Sequence, residues 1–279
     1  MNRQKLIALL AAACLAASLA AAPAPGPAIP AAEETAKQAL EKSPRHGEYV
    51  DIPLTDGAKP IRTWLVYPER KDKAPVVIVI HEIFGLSDWI RAVADQLAAE
   101  GFIAVAPDLL SGMGPGGGGT ESVSSRDDVV ALVRGLTPEV VRARLDAVRG
   151  HALKLPAAKA RSATVGFCWG GSASFAYAAA QPGLDAAVVY YGASPDTSAL
   201  ARIKAPVLGL YGGDDARVTA TVPGAETEMK KLGKSFDAHT YEGAGHGFLR
   251  QQEGREGANL KAAREAWRET IAFLKKHAG

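Results

Sequence analysis

The 279 residues predict an α/β fold, a mostly parallel central sheet with helices on both faces, on three observations. Short continuous runs of β-branched residues recur, the pattern of strands buried on both sides. Segments of helical periodicity separate those runs, so successive strands can cross over and lie parallel. A chain of this length with 47% hydrophobic and 22% charged residues buries a deep core, which excludes disordered and collagen-like classes. No repeat and no internal linker interrupts the alternation, so residues 48–279 are expected as a single domain.

Glu48 to Pro53 and Ile61 to Val66 read as two strands of a hairpin or meander, with Asp56-Gly57 as turn chemistry between them. Pro75 to Ile80 is a β-branched run and reads as a buried strand. Ile90 to Glu100 has helical periodicity and stops at Gly101; Phe102 to Ala106 is a further strand, closed by Pro107. Past a glycine-rich loop come a helix at Pro138 to Leu153, a strand at Thr164 to Phe167, a small-residue helix at Ser172 to Ala180 and a strand at Ala186 to Tyr191. Strands at Val207 to Tyr211 and Phe236 to Tyr241 and an amphipathic helix at Ala262 to Lys276 complete the pattern.

The amino terminus has the composition of a targeting segment. Arg3 and Lys5 precede an uncharged run from Leu6 to Ala22, which ends in small-residue cleavage sites near residues 20–22. The run is mostly alanine after Leu10, weaker than a spanning helix requires. Residues 1–22 are therefore expected to be a signal peptide and the protein to be exported, periplasmic or secreted. Lipid anchoring through Cys14 is the alternative, with Ala11 where a lipoprotein signal normally has leucine. Residues 23–47 are expected to be a Pro/Ala-rich linker and N-terminal extension. Removing Arg3 and Lys5 leaves 30 basic and 30 acidic side chains, so the net charge of +2 falls to about zero. No cluster of basic residues interleaved with aromatics suggests nucleic acid, and no membrane partner is expected.

Gly166-Phe167-Cys168-Trp169-Gly170-Gly171 lies between an expected strand and an expected helix, the pattern of a nucleophile elbow with cysteine as the nucleophile. The turn is tight enough to need small residues two before and two after Cys168. It holds Cys168 in a strained conformation, and the helix that follows points its first amides, Trp169 foremost, at the sulfur. The plainer alternative is a buried structural thiol beside a glycine pair. Of six histidines, His246 stands out in the glycine-rich loop Gly243 to Phe248 just after the last expected strand. Asp214-Asp215 ends an earlier strand. The order nucleophile, acid, base is that of the α/β-hydrolases.

With His81-Glu82-Ile83-Phe84-Gly85, the Gly212 to Val218 segment and Ala244-Gly245-His246-Gly247-Phe248, the chain resembles the dienelactone hydrolases, or carboxymethylenebutenolidases, of the α/β-hydrolase superfamily. The resemblance covers nearly the whole expected domain. It implies Cys168 as nucleophile, His246 as base and Asp215, rather than Asp214, as the acid orienting it. It further implies Glu82 as a carboxylate that helps activate the thiol, the Ile83 and Trp169 amides as an oxyanion hole, and Arg250 as the partner of a substrate carboxylate. Arg126 lies in the region of a second such arginine, in an unmatched context.

The expected activity is hydrolysis of a small ester or lactone, with or without a carboxylate, through an acyl-enzyme, without cofactor and by a monomer. The rival class is an exported binding or scaffold protein with negligible turnover. His81-Glu82 is not followed by the second histidine of a zinc-protease motif, and the Ser111 to Thr120 loop lacks the Gly-Lys-Ser/Thr ending of a phosphate cradle, leaving a mobile loop over the cleft or a plain connection. Redox work by Cys168 would lack a resolving cysteine once the signal is removed.

Overall fold

A computed structural model describes residues 27–55 and 57–279. The expected signal at 1–22 with Cys14, the first residues of the expected linker, and Asp56 of the expected turn lie outside the described residues. The eight strands are β1 (Gly47–Ile52), β2 (Ile61–Val66), β3 (Ala74–Ile80), β4 (Ile103–Pro107), β5 (Ala158–Phe167), β6 (Ala186–Tyr190), β7 (Val207–Gly212) and β8 (Phe236–Tyr241). They form one sheet in the order β1-β2-β4-β3-β5-β6-β7-β8. β1 and β2 run antiparallel to their neighbours, and every pairing from β4 to β8 is parallel. The helices are α1 (Ala36–Glu41), α2 (Asp88–Ala99), α3 (Arg126–Arg134), α4 (Pro138–Ala152), α5 (Trp169–Ala180), α6 (Thr197–Leu200), α7 (Ala216–Thr219), α8 (Val222–Lys231) and α9 (Ala258–His277).

Alternation along the strands divides the core into two layers. Val77, Val79, Val165, Phe167, Val188 and Leu210 face one layer, covered by α2 and α9 through Trp89, Leu97, Trp267 and Leu274. Val76, Ile78, Ile80, Val105 and Val189 face the other, covered by α4 and α5 through Leu145, Val148 and Phe175. Every residue of β3 is buried, as expected of a β-branched run with helices on both sides.

The structure departs from the expected elements where charge or helix-breaking residues hid the pattern. β5 starts at Ala158 instead of Thr164, because Lys159 and Arg161 extend past the covered part of the sheet, where Arg161 pairs with Asp185 at 3.1 Å. α3, not expected, buries only Val129 and Val133 and is started by Ser125, whose side chain accepts from the Asp128 amide. α8, also not expected, carries Pro223 in its first turn, where the missing N–H costs nothing.

Residues 27–46 are more than a connection. Pro30 and Ala36 are buried, Ile29 and Leu40 pack against the α2/α9 layer, and Gln252 Nε2 donates to the Pro30 carbonyl at 2.8 Å. Ser43 Oγ donates to Asp95 of α2 at 2.6 Å, and Arg45 Nε donates to the same carboxylate at 3.0 Å. The segment is a strap fastened at both ends to the domain.

Candidate active site

Parallel strands place their carboxyl ends on one edge of the sheet, and there the loops bring the candidate residues together. Ile80 of β3 pairs with Gly166 of β5, so Glu82 and Ile83, just beyond β3, lie beside Cys168, just beyond β5. Asp215 follows β7, and His246 follows β8.

Cys168 has φ 55° and ψ −117°, a conformation costing on the order of 1–3 kcal/mol for a residue with a side chain. Two glycines permit it. A Cβ on Gly166 would run into the Gly170 carbonyl, and one on Gly170 would run into the carbonyls of Ile80 and His81. The Cys168 amide donates to the Tyr190 carbonyl at 3.0 Å, tying the turn to β6. α5 begins at Trp169, three residues earlier than expected, because the close approach of Gly170 to β3 lets the helix start directly after Cys168.

His246 Nδ1 lies 2.5 Å from Asp215 Oδ2, and the buried Asp215 carboxylate accepts there, leaving Nε2 as the second face of the ring. The His246 ring packs 5.1 Å from the ring of Tyr191, a buried residue at φ 39° that follows β6. Among the described residues, no hydrogen bond joins Cys168 to His246. Asp214 takes a different part, pairing with Arg255 at 2.8 Å.

Glu82 is buried and pairs with Arg250 Nε at 2.7 Å. Burial pushes its carboxyl up to about 7, against the pull of Arg250 and with added repulsion from Glu33. Burial likewise pushes the Cys168 thiol up to about 11, helped by the neighbouring Glu82 charge and opposed by the Trp169 amide, Arg217 and Arg250. The sulfur is therefore a protonated thiol near neutral pH.

Arg250 does not stand free for a substrate. Besides Glu82 it pairs through Nη1 with Glu33 of the strap, and Glu33 also lies 3.3 Å from Arg126 Nη2. Phe84 lies beneath this cluster, with the Arg126 guanidinium 3.6 Å and the Arg250 guanidinium 5.2 Å from its ring centre.

Three features were not singled out from the sequence. His81, given no role of its own in the His81–Gly85 stretch or the half zinc motif, is fully buried with its titration lowered chiefly by burial. Its Nδ1 reaches the Glu82 carbonyl at 2.7 Å, its Nε2 accepts from the Leu109 amide at 3.2 Å, and its ring stacks 5.6 Å from Trp169, so it holds two candidate segments in place. The glycine-rich loop is pinned by Asp108, which accepts from the Thr120 amide at 2.6 Å, the Thr120 hydroxyl at 2.7 Å and the Leu110 amide at 3.0 Å. Thr120 in turn accepts from the Leu86 amide at 3.1 Å, coupling that loop to the Glu82 turn. The third is Glu33, whose only sequence signal was its place as the first acidic residue of the chain. An apolar cleft of about 450 Å³ opens beside Trp169, lined also by Leu136, Val141, Ala173 and Pro195.

The dienelactone hydrolase family model matches residues 61–278, a span that holds the elbow, the His246–Asp215 pair and Glu82. The chain belongs to the dienelactone hydrolase family. This dienelactone hydrolase-like protein is 32% identical over 241 residues to a Methylorubrum extorquens protein provisionally named a carboxymethylenebutenolidase, covering 82% of this chain and 80% of that one. It is 31% identical over 189 residues to the carboxymethylenebutenolidase of Pseudomonas putida, covering 67% of this chain and 80% of the relative. A crystal structure from Klebsiella pneumoniae, provisionally described as a dienelactone hydrolase, superposes with a TM-score of 0.73 at 28% identity, covering 84% of this chain and 99% of that one. The α/β-hydrolase architecture and the standing of the chain as a hydrolase rest on this family membership.

Proposed function

We propose that this chain hydrolyses small esters or lactones through a cysteine acyl-enzyme, with Cys168 as nucleophile, His246 as general base and acid, and Asp215 orienting the imidazole. The observation that carries the reading is the strained Cys168 elbow on the same sheet edge as the 2.5 Å His246–Asp215 pair. A structural thiol has no need of that backbone conformation.

A thiol pushed up to about 11 is about one part in ten thousand thiolate at pH 7, so its proton must be removed as the substrate binds. Glu82, close to the sulfur and with a pKa of about 7, and the free face of His246 are the two acceptors within the site. The thiolate attacks the carbonyl carbon, and the S–C bond forms as the carbonyl electron pair moves to oxygen. The Trp169 amide, first in α5, and the Ile83 amide are suited to hold that oxyanion. Collapse breaks the C–O bond; the alkoxide leaves with the proton taken from the thiol, returned by the group that accepted it. A water then gives its proton to His246 and attacks the thioester, releasing the acid and returning the thiol.

We further read residues 1–22 as an export signal, which would place the enzyme outside the cytoplasm. The hydrolase reading is tested with purified protein on 4-nitrophenyl acetate and a simple aryl lactone. Cys168→Ala and His246→Ala are each expected to lower kcat/KM by about a thousandfold or more. Turnover equal to that of the unaltered protein in either variant refutes the assignment, and points to a binding protein if the unaltered chain is itself inert.

A further inference from the structure

The candidate site contains a carboxylate that the reaction does not use. Glu33 reaches in from the strap and meets two guanidiniums at once: Oε2 pairs with Arg250 Nη1, and Oε1 lies 3.3 Å from Arg126 Nη2. Two arginines from separate elements converging on one carboxylate form a carboxylate subsite by their chemistry, since guanidinium forks match carboxylate oxygens. The subsite adjoins the reacting groups, because Arg250 pairs with Glu82 on its other side and its charge is felt at Cys168.

The strap holds Glu33 in register. Its amide donates to the Arg250 carbonyl at 3.1 Å, Gln252 clasps the Pro30 carbonyl at 2.8 Å, and Ala36 is buried three residues later. A carboxylate tethered in this way competes at an effective concentration of roughly millimolar or more, and the ordering of its backbone is already complete. The charge count points the same way. With Glu82 ionised, Arg250 and Arg126 balance Glu82 and Glu33, so an incoming carboxylate must either displace a fastened side chain or add negative charge beside the buried Arg250–Glu82 pair.

We propose that Glu33 is a built-in carboxylate that fills the two-arginine subsite beside Cys168 and so selects uncharged esters or lactones over those bearing a carboxylate. The inference rests on the hydrolase reading for its substrates. Phe84, stacked under both guanidiniums, fixes where the subsite lies, and the strap decides what fills it.

The test compares 4-nitrophenyl hexanoate with mono-4-nitrophenyl adipate, whose acyl chains differ by a methyl against a carboxylate. The readout is the ratio of the two kcat/KM values within each protein, which cancels any loss of correctly folded enzyme. In Glu33→Gln the ratio is expected to shift toward the adipate ester by about tenfold or more. Adding Arg126→Ala to Glu33→Gln should reverse most of the shift. A ratio unchanged in Glu33→Gln overturns the proposal. Calorimetric titration with phenylacetate and phenylacetamide decides the matter without turnover. Glu33→Gln should bind phenylacetate at least about tenfold more tightly than the unaltered protein and phenylacetamide no more tightly; equal phenylacetate affinity overturns the proposal. Failure of both proteins to cleave either ester, together with the binding shift, would sink the hydrolase reading and leave the carboxylate subsite standing.

Discussion

At the scale of single residues, opposing influences act on two acids in one buried space. Burial raises both Glu82 and Cys168, and each charge would make the other harder to form. Arg250 offsets part of the burial of Glu82, so the carboxyl titrates near neutrality, where it can accept a proton and return it. The sign of the pH effect follows. Below about 7 Glu82 is protonated and cannot take the thiol proton; above it the carboxylate is available. The kcat/KM for a neutral ester is therefore expected to rise with pH through about 7, and a pH profile of Glu82→Gln should lose that rise. Persistence of the same inflection in the variant would assign the titration to another group. Cys168, its flanking glycines and His246 were legible in the sequence because a tight turn restricts residue type at fixed offsets. Glu33 was not, because a salt bridge across 217 positions leaves no local spacing to read.

At the scale of elements, strand identity was carried by continuous burial and helix identity by the apolar stripe, so the strongly patterned pieces were readable. β3 and α9 are examples, although α9 begins at Ala258 instead of Ala262. α3 escaped because it lies on the surface with two buried residues, and its start depends on a serine cap more than on a stripe. The glycine-rich loop 111–120 escaped for a different reason. Its composition reads as freedom, yet a buried aspartate outside the loop holds its end with two hydrogen bonds from Thr120 and the approach to it with a third from the Leu110 amide. Asp108→Ala would strand the Thr120 and Leu110 amides, at a cost of about 2–4 kcal/mol. Hydrogen exchange should show faster amides at Gly112, Gly114 and Gly118, which depend on turns inside the loop. Unchanged exchange there would mean the loop keeps its shape without Asp108.

At the scale of the whole molecule, one sheet separates two apolar layers, and its carboxyl edge collects chemistry from loops spread along the chain. The fold was legible because the alternation of strand and helix is repeated along the chain; the fastening of the strap was not, because its contacts to Gln252, Asp95 and Arg250 are each made by polar atoms without periodicity. The protonated state of Cys168 also has a meaning beyond turnover. Thiolate, not thiol, reacts with alkylating agents, peroxides and disulfides. Cys168, the free cysteine among the described residues and held up to about 11, should be inert toward them until a substrate reorganises the site. Iodoacetamide at pH 7.5 is expected to label the resting protein at least about tenfold more slowly than free cysteine, by mass spectrometry. Labelling as fast as free cysteine would show the thiol already ionised. Such shelter has a consequence for handling: the Cys168 sulfur should endure storage and exposure to oxidants as an unreactive group.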